Sequence, residues 1–386
     1  MLLIISNLIV YSIFAITLYI CAKQGIQTNW KPTRWYSMPS AFKWCLLIFS
    51  IISGVRYDVG IDYLQYLEFY KTALEGHNFV RERGIEEGYI FVTRVFAYIG
   101  LHPVLYFGFL AFLQLIFILW AFRNERGIVP YILILIILGG YFFTWMNGIR
   151  QMIAACVFVY SISFIRDRKF IPFLFCVLFS YIWHHSAVLL FPFYLLAYDK
   201  RIWKNTYINI IIFIFCFIWG NTPFGINDYS IASELLSFMD YENYSERVDS
   251  IFNPDNFRTF NIGPRFITQF FTYIIVIISY PKIRNQFNNT KIDIVFKLFF
   301  IGICLYYLLV NTGHLFLRPV LYCTIFALPM TAYVLVGLLK SNKQFLYYIL
   351  LICSLSFTYI SCISDASLPV NERHCYLYYF YFMNAF

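Results

Sequence analysis

Residues 2–22 read LLIISNLIVYSIFAITLYICA, a run without a single charge. Coiled as a helix, such a run crosses the roughly 30 Å of a bilayer's hydrocarbon core. It lacks a basic leading region and a small-residue cleavage site, so it reads as a retained span and not a signal peptide. Comparable apolar runs recur to the end of the chain. Backbone groups in lipid must bond within their own segment, which makes these runs helices. The strand alternation of a membrane barrel is absent. Composition agrees: 61% of the 386 residues are hydrophobic and 13% are charged, against about 25% charged in a soluble domain. The expected fold is all-α, a polytopic helical membrane protein whose residues 1–386 form one integral membrane domain.

Twelve membrane-crossing segments are predicted, at 2–22, 41–55, 103–122, 129–146, 148–165, 170–184, 186–198, 206–222, 263–280, 292–312, 315–338 and 344–361. The stretch 170–198 is interrupted at His184-His185-Ser186, which predicts a short helical hairpin with a polar tip. The segment 88–101 is too short to cross securely and is expected to be a tilted or re-entrant helix. Six loops (22–43, 121–128, 166–169, 199–204, 281–297 and 340–343, with adjoining span ends) hold 18 of the 29 basic residues. Their only acids are Glu125, Asp167, Asp199 and Asp293. Lys and Arg excess marks the cytoplasmic side, so these loops are expected inside. Both termini, the loop 223–262 and the tail 362–386 are expected outside. The net charge of +9 is then a topology signal and gives no reason to expect nucleic acid as a partner. Eight of the ten cysteines lie in apolar runs as small packers; Cys362 and Cys375 lie in the tail, close enough in sequence to pair. No Cys or His spacing suits a metal, and neither a metal nor a cofactor is expected.

Basic residues on the outer side need another explanation. Arg56, Arg150, Arg265 and Arg318 sit at or just inside the outer ends of spans, where an ionisable group is a functional candidate by default. Snorkelling to lipid headgroups is the plain alternative for any one of them. Each stands among other polar groups. The first cluster is Arg56-Tyr57-Asp58-Val59-Gly60-Ile61-Asp62-Tyr63 with Tyr66. Asp58 and Asp62 share a face if a helix has begun there, and either can be its N-cap. The second is Glu86-Glu87-Gly88-Tyr89, where a carboxylate suits a helix N-terminus or serves as a base. The third is Asn147-Gly148-Ile149-Arg150-Gln151, whose spacing projects Asn147, Arg150 and Gln151 from one helix face. Ala154 and Ala155 follow and leave room for close approach. The fourth, Trp183-His184-His185-Ser186, offers a base, a phosphate ligand or a helix cap. The fifth is His314-Leu315-Phe316-Leu317-Arg318-Pro319 with Tyr322 one turn on. The acidic loop 223–262 is either a solvated ectoloop or a lid.

In order and spacing these clusters resemble the EpsG/Wzy-like family of bacterial polysaccharide polymerases. The matching residues are Arg56-x-Asp58-x-Gly60-x-Asp62-Tyr63 with Tyr66, Glu86 or Glu87 before an aromatic helix, Asn147-x-x-Arg150-Gln151, His184-x-Ser186-Ala187, and Arg318 with Tyr322. The resemblance runs from about Arg56 to Tyr322. It implies a metal-independent glycosyltransferase of the inner membrane, acting on its outer face. Its substrate would be undecaprenyl-pyrophosphate-linked oligosaccharide, joined into O-antigen, capsule or exopolysaccharide, with room for a chain-length-regulating partner. The residues fit that chemistry. Arg supplies a rigid fork for pyrophosphate oxygens. Asp62, Glu87 or His184 can take the acceptor's proton. Tyr63, Tyr66 and Tyr89 can stack on sugar rings. Arg56, Asp58, Glu86, Asn147, Arg150, Gln151, His185, Ser186, Arg265, His314, Arg318 and Tyr322 complete the expected substrate-binding set.

Two other classes use similar groups. A lipid-oligosaccharide flippase or other transporter also needs buried Arg on an aqueous path. It would carry such groups through its depth and show related halves, whereas here they gather at one face and no repeat is visible. A membrane acyltransferase would want a His deep in a span, and His184 keeps that reading open.

Overall fold

The computed structural model describes residues 2–26, 38–77, 85–198, 203, 205–221, 262–287, 290–311, 314–368 and 375–383. The acidic loop predicted at 223–262 lies outside them, save Ile262. In chain order the described α-helices are α1 (Leu2–Ile26), α2 (Ser40–Gly54), α3 (Tyr63–Leu74), α4 (Glu87–Tyr98), α5 (Pro103–Ala121), α6 (Val129–Leu138), α7 (Tyr141–Asn147), α8 (Ile149–Arg166) and α9 (Phe170–Trp183). A long 3₁₀ helix, His185–Ala197, follows. Then come α10 (Thr206–Gly220), α11 (Pro264–Ile283), α12 (Lys291–Leu309), α13 (His314–Thr324), α14 (Ala327–Lys340) and α15 (Gln344–Ala366). Two short strands, β1 (Arg56–Tyr57) and β2 (Tyr379–Phe380), pair antiparallel.

Every predicted segment falls on helix, but not every one is long enough to cross by itself. Among the described residues, seven stretches pass on length and apolarity, and an eighth is the bent pair Arg126–Leu138 and Tyr141–Asn147. That pair turns by 68° at Gly139-Gly140. Gly140 has φ +80°, and a side chain there would strike the Phe357 ring at 2.0 Å, so only glycine fits the corner. The other four, α2, α9, the 3₁₀ helix and α10, are apolar but shorter. At 1.5 Å per residue α9 reaches only about 21 Å. The count of about twelve therefore holds for apolar helical segments; seven or eight meet the length of a full crossing. The segment predicted at 88–101 is α4, a short helix lying against α3 and α9. The hairpin predicted at 170–198 is present, with its second arm wound as 3₁₀ around Pro192.

Burial sorts the helices. α14 belongs to the most enclosed candidate span, whereas α1 and α15 are the least enclosed. In α1 the side chains of Ile5, Ile9, Ile13, Ile16 and Ile20 are exposed, and Tyr11, Phe14, Ala15, Leu18 and Ala22 are buried. These two sets recur at three and four residues, so one stripe faces lipid and the other the core. The core itself runs without a break from α1 to the tail.

The bundle has two chemically different ends. At one, Arg284 grips Asp293 through Nε and Nη2 at 2.7 and 2.8 Å, Arg166 meets Asp167, and Lys291 meets Glu125 at 3.3 Å. Arg126, Arg166 and Lys340 gather there. The other end carries the polar clusters. The tail joins them: α15 continues to Ala366, past the predicted 361, and the chain returns along β1. All ten cysteines are free. Cys362 and Cys375, which the sequence left able to pair, do not: the Cys362 thiol is buried against the Tyr376 carbonyl at 3.5 Å.

Candidate active site

Gly88 sets the first contact. A side chain there would meet the Ile182 carbonyl at 2.9 Å, so α4 can start tight against the end of α9. This places Glu86, just before α4, beside the polar tip of the hairpin. Glu86 stands at the N-cap position but makes no capping bond. Its carboxylate turns inward instead. One oxygen pairs with Arg150 and the other with Nδ1 of His184. Burial alone would raise the Glu86 carboxyl, but the His184 hydrogen bond and the Arg150 guanidinium outweigh it and hold the group at about 2, so it is a carboxylate at neutral pH. Two cation-capable groups thus share one buried acid.

Aromatic rings back the cluster. The Arg150 guanidinium lies 5.7 Å from the centre of the Tyr89 ring, within cation–π range, and is close to the Tyr66 phenol. Tyr66 and Tyr89 pack at 5.6 Å. Tyr63, Tyr66 and Tyr89 are all buried; they form the wall behind the charges and are not open faces for sugars. Nε2 of His184 is buried and has no hydrogen-bond partner among the described residues.

The third cluster works differently from its sequence spacing. Asn147 ends α7, Gly148 breaks the helix, and Ile149 opens α8, so the three side chains do not share one continuous helix face. Each reaches a different element. Asn147 Oδ1 accepts the Asp62 backbone N–H at 2.9 Å, Arg150 holds Glu86, and Gln151 donates to the Arg318 carbonyl. Ser180 donates to the Ala154 carbonyl at 3.1 Å, so the small residues Ala154 and Ala155 do permit the close α8–α9 contact. Ser186 and Tyr322 share a buried hydroxyl contact of 3.1 Å. Arg318 is exposed, and its charge, like that of Arg150, acts on His184.

The first cluster is a turn and not a helix face. Asp58 has φ +51° and Gly60 φ +96°, and α3 begins only at Tyr63, so Asp58 and Asp62 do not line up. Gly60 lies where a side chain would press on the Asn147 backbone at 3.3 Å. Arg56 is fully buried, between the rings of Tyr63 and Phe107 at 5.2 and 5.1 Å. It donates to the Ser53 carbonyl, and its Nε and Nη2 find no partner among the described residues. Burial pulls its guanidinium down to about 10, which still leaves it charged at neutral pH. The remaining candidates lie at the rim. Glu87 is three-quarters exposed, with its carboxylate 3.5 Å from Nε2 of His185. Arg265 stacks on Tyr376 of the tail at 5.5 Å. The side chain of His314 lies outside the described residues.

The sequence reading missed the tail. Gly60 donates to the Cys375 carbonyl at 3.0 Å and Tyr381 to Val55 at 2.7 Å. The Asn7 side chain accepts from the Tyr378 N–H, and the Tyr378 hydroxyl reaches Ile52. Asp365 accepts from the N–H groups of Cys375 and Tyr376. The aromatic run Tyr376-Leu377-Tyr378-Tyr379-Phe380-Tyr381-Phe382 has the composition of a strand, the one signal that could have found it. Because these bonds brace the turn carrying Arg56 and Asp62, removing residues 375–386 is expected to lower activity at least tenfold while the helices stay inserted. Activity per folded protein, with helical content followed by circular dichroism, checks this.

The fold and site define a polytopic helical membrane protein with an Arg–Glu–His cluster at the end of its bundle away from Arg126, Arg166 and Lys340. The model of the EpsG family matches residues 42–381. The chain belongs to the EpsG family, which gives it a role in exopolysaccharide biosynthesis. No curated protein and no solved structure matches it.

Proposed function

We propose that this chain polymerises undecaprenyl-pyrophosphate-linked oligosaccharide repeat units by glycosyl transfer on the outer face of the bacterial inner membrane. The observation that carries this reading is the Glu86 carboxylate shared between Arg150 and His184. Glu86 accepts from Nδ1–H of His184, which leaves the lone pair on Nε2, as in other carboxylate–histidine pairs. An acceptor sugar hydroxyl gives its proton to Nε2 as its oxygen bonds to the donor's anomeric carbon. The bond from that carbon to the pyrophosphate oxygen breaks, and undecaprenyl pyrophosphate leaves with the electron pair. Arg150 stabilises the charge growing on the leaving group. Arg318, exposed on the adjoining helix, is the second clamp; Arg56, held between the Tyr63 and Phe107 rings, positions the turn instead. Glu86, which orients the base, takes the place in the cluster that the sequence left open between Glu86 and Glu87.

The orientation follows the basic loops. Twelve crossings, with the four short helices counted, put every basic loop inside and the site and both termini outside. Cysteines placed at Lys169 should resist a membrane-impermeant reagent in intact cells, and cysteines at Ile61 should react; the opposite pattern overturns the orientation. Deleting the gene should leave lipid carriers with a single repeat exposed outside. Single repeats trapped inside would instead identify a flippase, and unchanged glycan would remove both readings.

A further inference from the structure

At the end of the bundle opposite the site, a cavity of about 740 Å³ opens between helix ends distant in sequence. Arg126, Arg166 and Lys340 line it, over a floor that includes Ile128, Phe287 and Val336. Glu125, its one acidic lining residue among those described, is drawn to Lys291 at 3.3 Å. Lys291 is itself almost fully buried; it also donates to the Ala121 carbonyl and lies 4.6 Å over the Phe122 ring. Arg166 is matched by Asp167 at 2.6 Å. Lys340 lies 5.0 Å over the Phe287 ring. Among the described residues, three cations and one carboxylate line the cavity. The topology signal explains why basic residues occur at this end, but not why three from separate helix ends converge on one hollow with an apolar floor.

We propose that this cavity binds a phosphate ester. Guanidinium groups match phosphate oxygens, and the apolar floor suits the carbon chain such a phosphate carries. Basic pockets between helix ends at the cytoplasmic interface are suited to anionic lipid headgroups; a soluble phosphate ester presents the same group. The site is independent of the polymerisation reading, and it would hold its ligand in a protein unable to transfer sugar.

The test uses the full chain in nanodiscs of phosphatidylcholine with a minority of phosphatidylglycerol. Three proteins are compared: wild type, the pair Arg126→Gln with Lys340→Gln, and a control pair Lys169→Gln with Lys282→Gln. The control removes the same charge from exposed positions outside the cavity. Native mass spectrometry counts phosphatidylglycerol retained after extraction, per folded protein, and Lys340→Gln alone serves if the pair folds poorly. A parallel arm measures thermal stability in phosphatidylcholine alone with added glycerol 3-phosphate. Wild type and control should retain the anionic lipid, and the cavity variant should lose about tenfold, the effect of one charge-assisted hydrogen bond. Stabilisation of wild type, but not of the cavity variant, by glycerol 3-phosphate would make the ligand a soluble ester and still support the site. Equal retention and equal stabilisation in wild type and cavity variant would overturn it, as would an equal loss in the control.

Discussion

Arg150→Ala is expected to abolish polymer formation while the protein still reaches the membrane. Two losses combine. The donor pyrophosphate forfeits charge-assisted hydrogen bonds, each contributing about 1.5–3 kcal/mol. The Glu86 carboxylate, nearly enclosed, is left with His184 alone, and breaking a buried ion pair from one side costs about 3–5 kcal/mol. The second loss falls partly on stability, so the effect must be apportioned. Adding Glu86→Gln removes the stranded charge. The double variant should recover thermal stability over Arg150→Ala but no activity, because the phosphate clamp is still missing. Arg150→Lys keeps the charge without the planar fork and should retain roughly one to ten per cent of activity, the loss of one such bond. Lys169→Ala, exposed at the basic end, should be silent. Near-normal polymerisation by folded Arg150→Ala would reduce Arg150 to a structural partner of Glu86.

His184→Ala should be nearly as severe, but with a different kinetic signature. A general base contributes about 10²–10⁴-fold, and it acts in the transition state. Its loss should lower kcat with little change in KM for the lipid-linked donor, whereas Arg150 variants should move both. Glu86→Gln should be milder than His184→Ala, since glutamine can keep a hydrogen bond to the imidazole but not the charge that steadies it once protonated. If His184→Ala leaves kcat intact, the proton goes elsewhere. The candidates left for the base would then be Asp62, whose backbone is tied to Asn147, and Glu87.

The helices were legible because lipid leaves the backbone no alternative to internal hydrogen bonds, and unbroken apolar runs report that directly. The clustering at one end was legible for a related reason: each Arg stood where a polar residue is expensive and had polar neighbours. What the sequence could not show was how the pieces turn. The spacing of Asn147, Arg150 and Gln151 suggested one face, but Gly148 breaks the helix and sends the three side chains to Asp62, Glu86 and Arg318. The choice between Glu86 and Glu87 depends on which side of an N-terminus each points, and that is set by Gly88 against Ile182. Arg56 looked like a substrate ligand by its place at a span end; burial between Tyr63 and Phe107 makes it a brace. The tail was opaque because its partners, Asn7, Ile52, Val55 and Gly60, lie over three hundred residues away, and a two-residue strand leaves almost no pattern.

The central claim is that this chain itself joins lipid-linked repeats through the Arg150–Glu86–His184 cluster. It is tested most directly by reconstituting the purified protein in liposomes with purified undecaprenyl-pyrophosphate-linked single repeats and resolving the lipid-linked products by size. The account predicts a ladder of multiples with wild type, and only the single repeat with an equal amount of folded His184→Ala. A wild-type reaction that yields no ladder, while the protein moves the single repeat from one leaflet to the other, would contradict the account and make the chain a transporter.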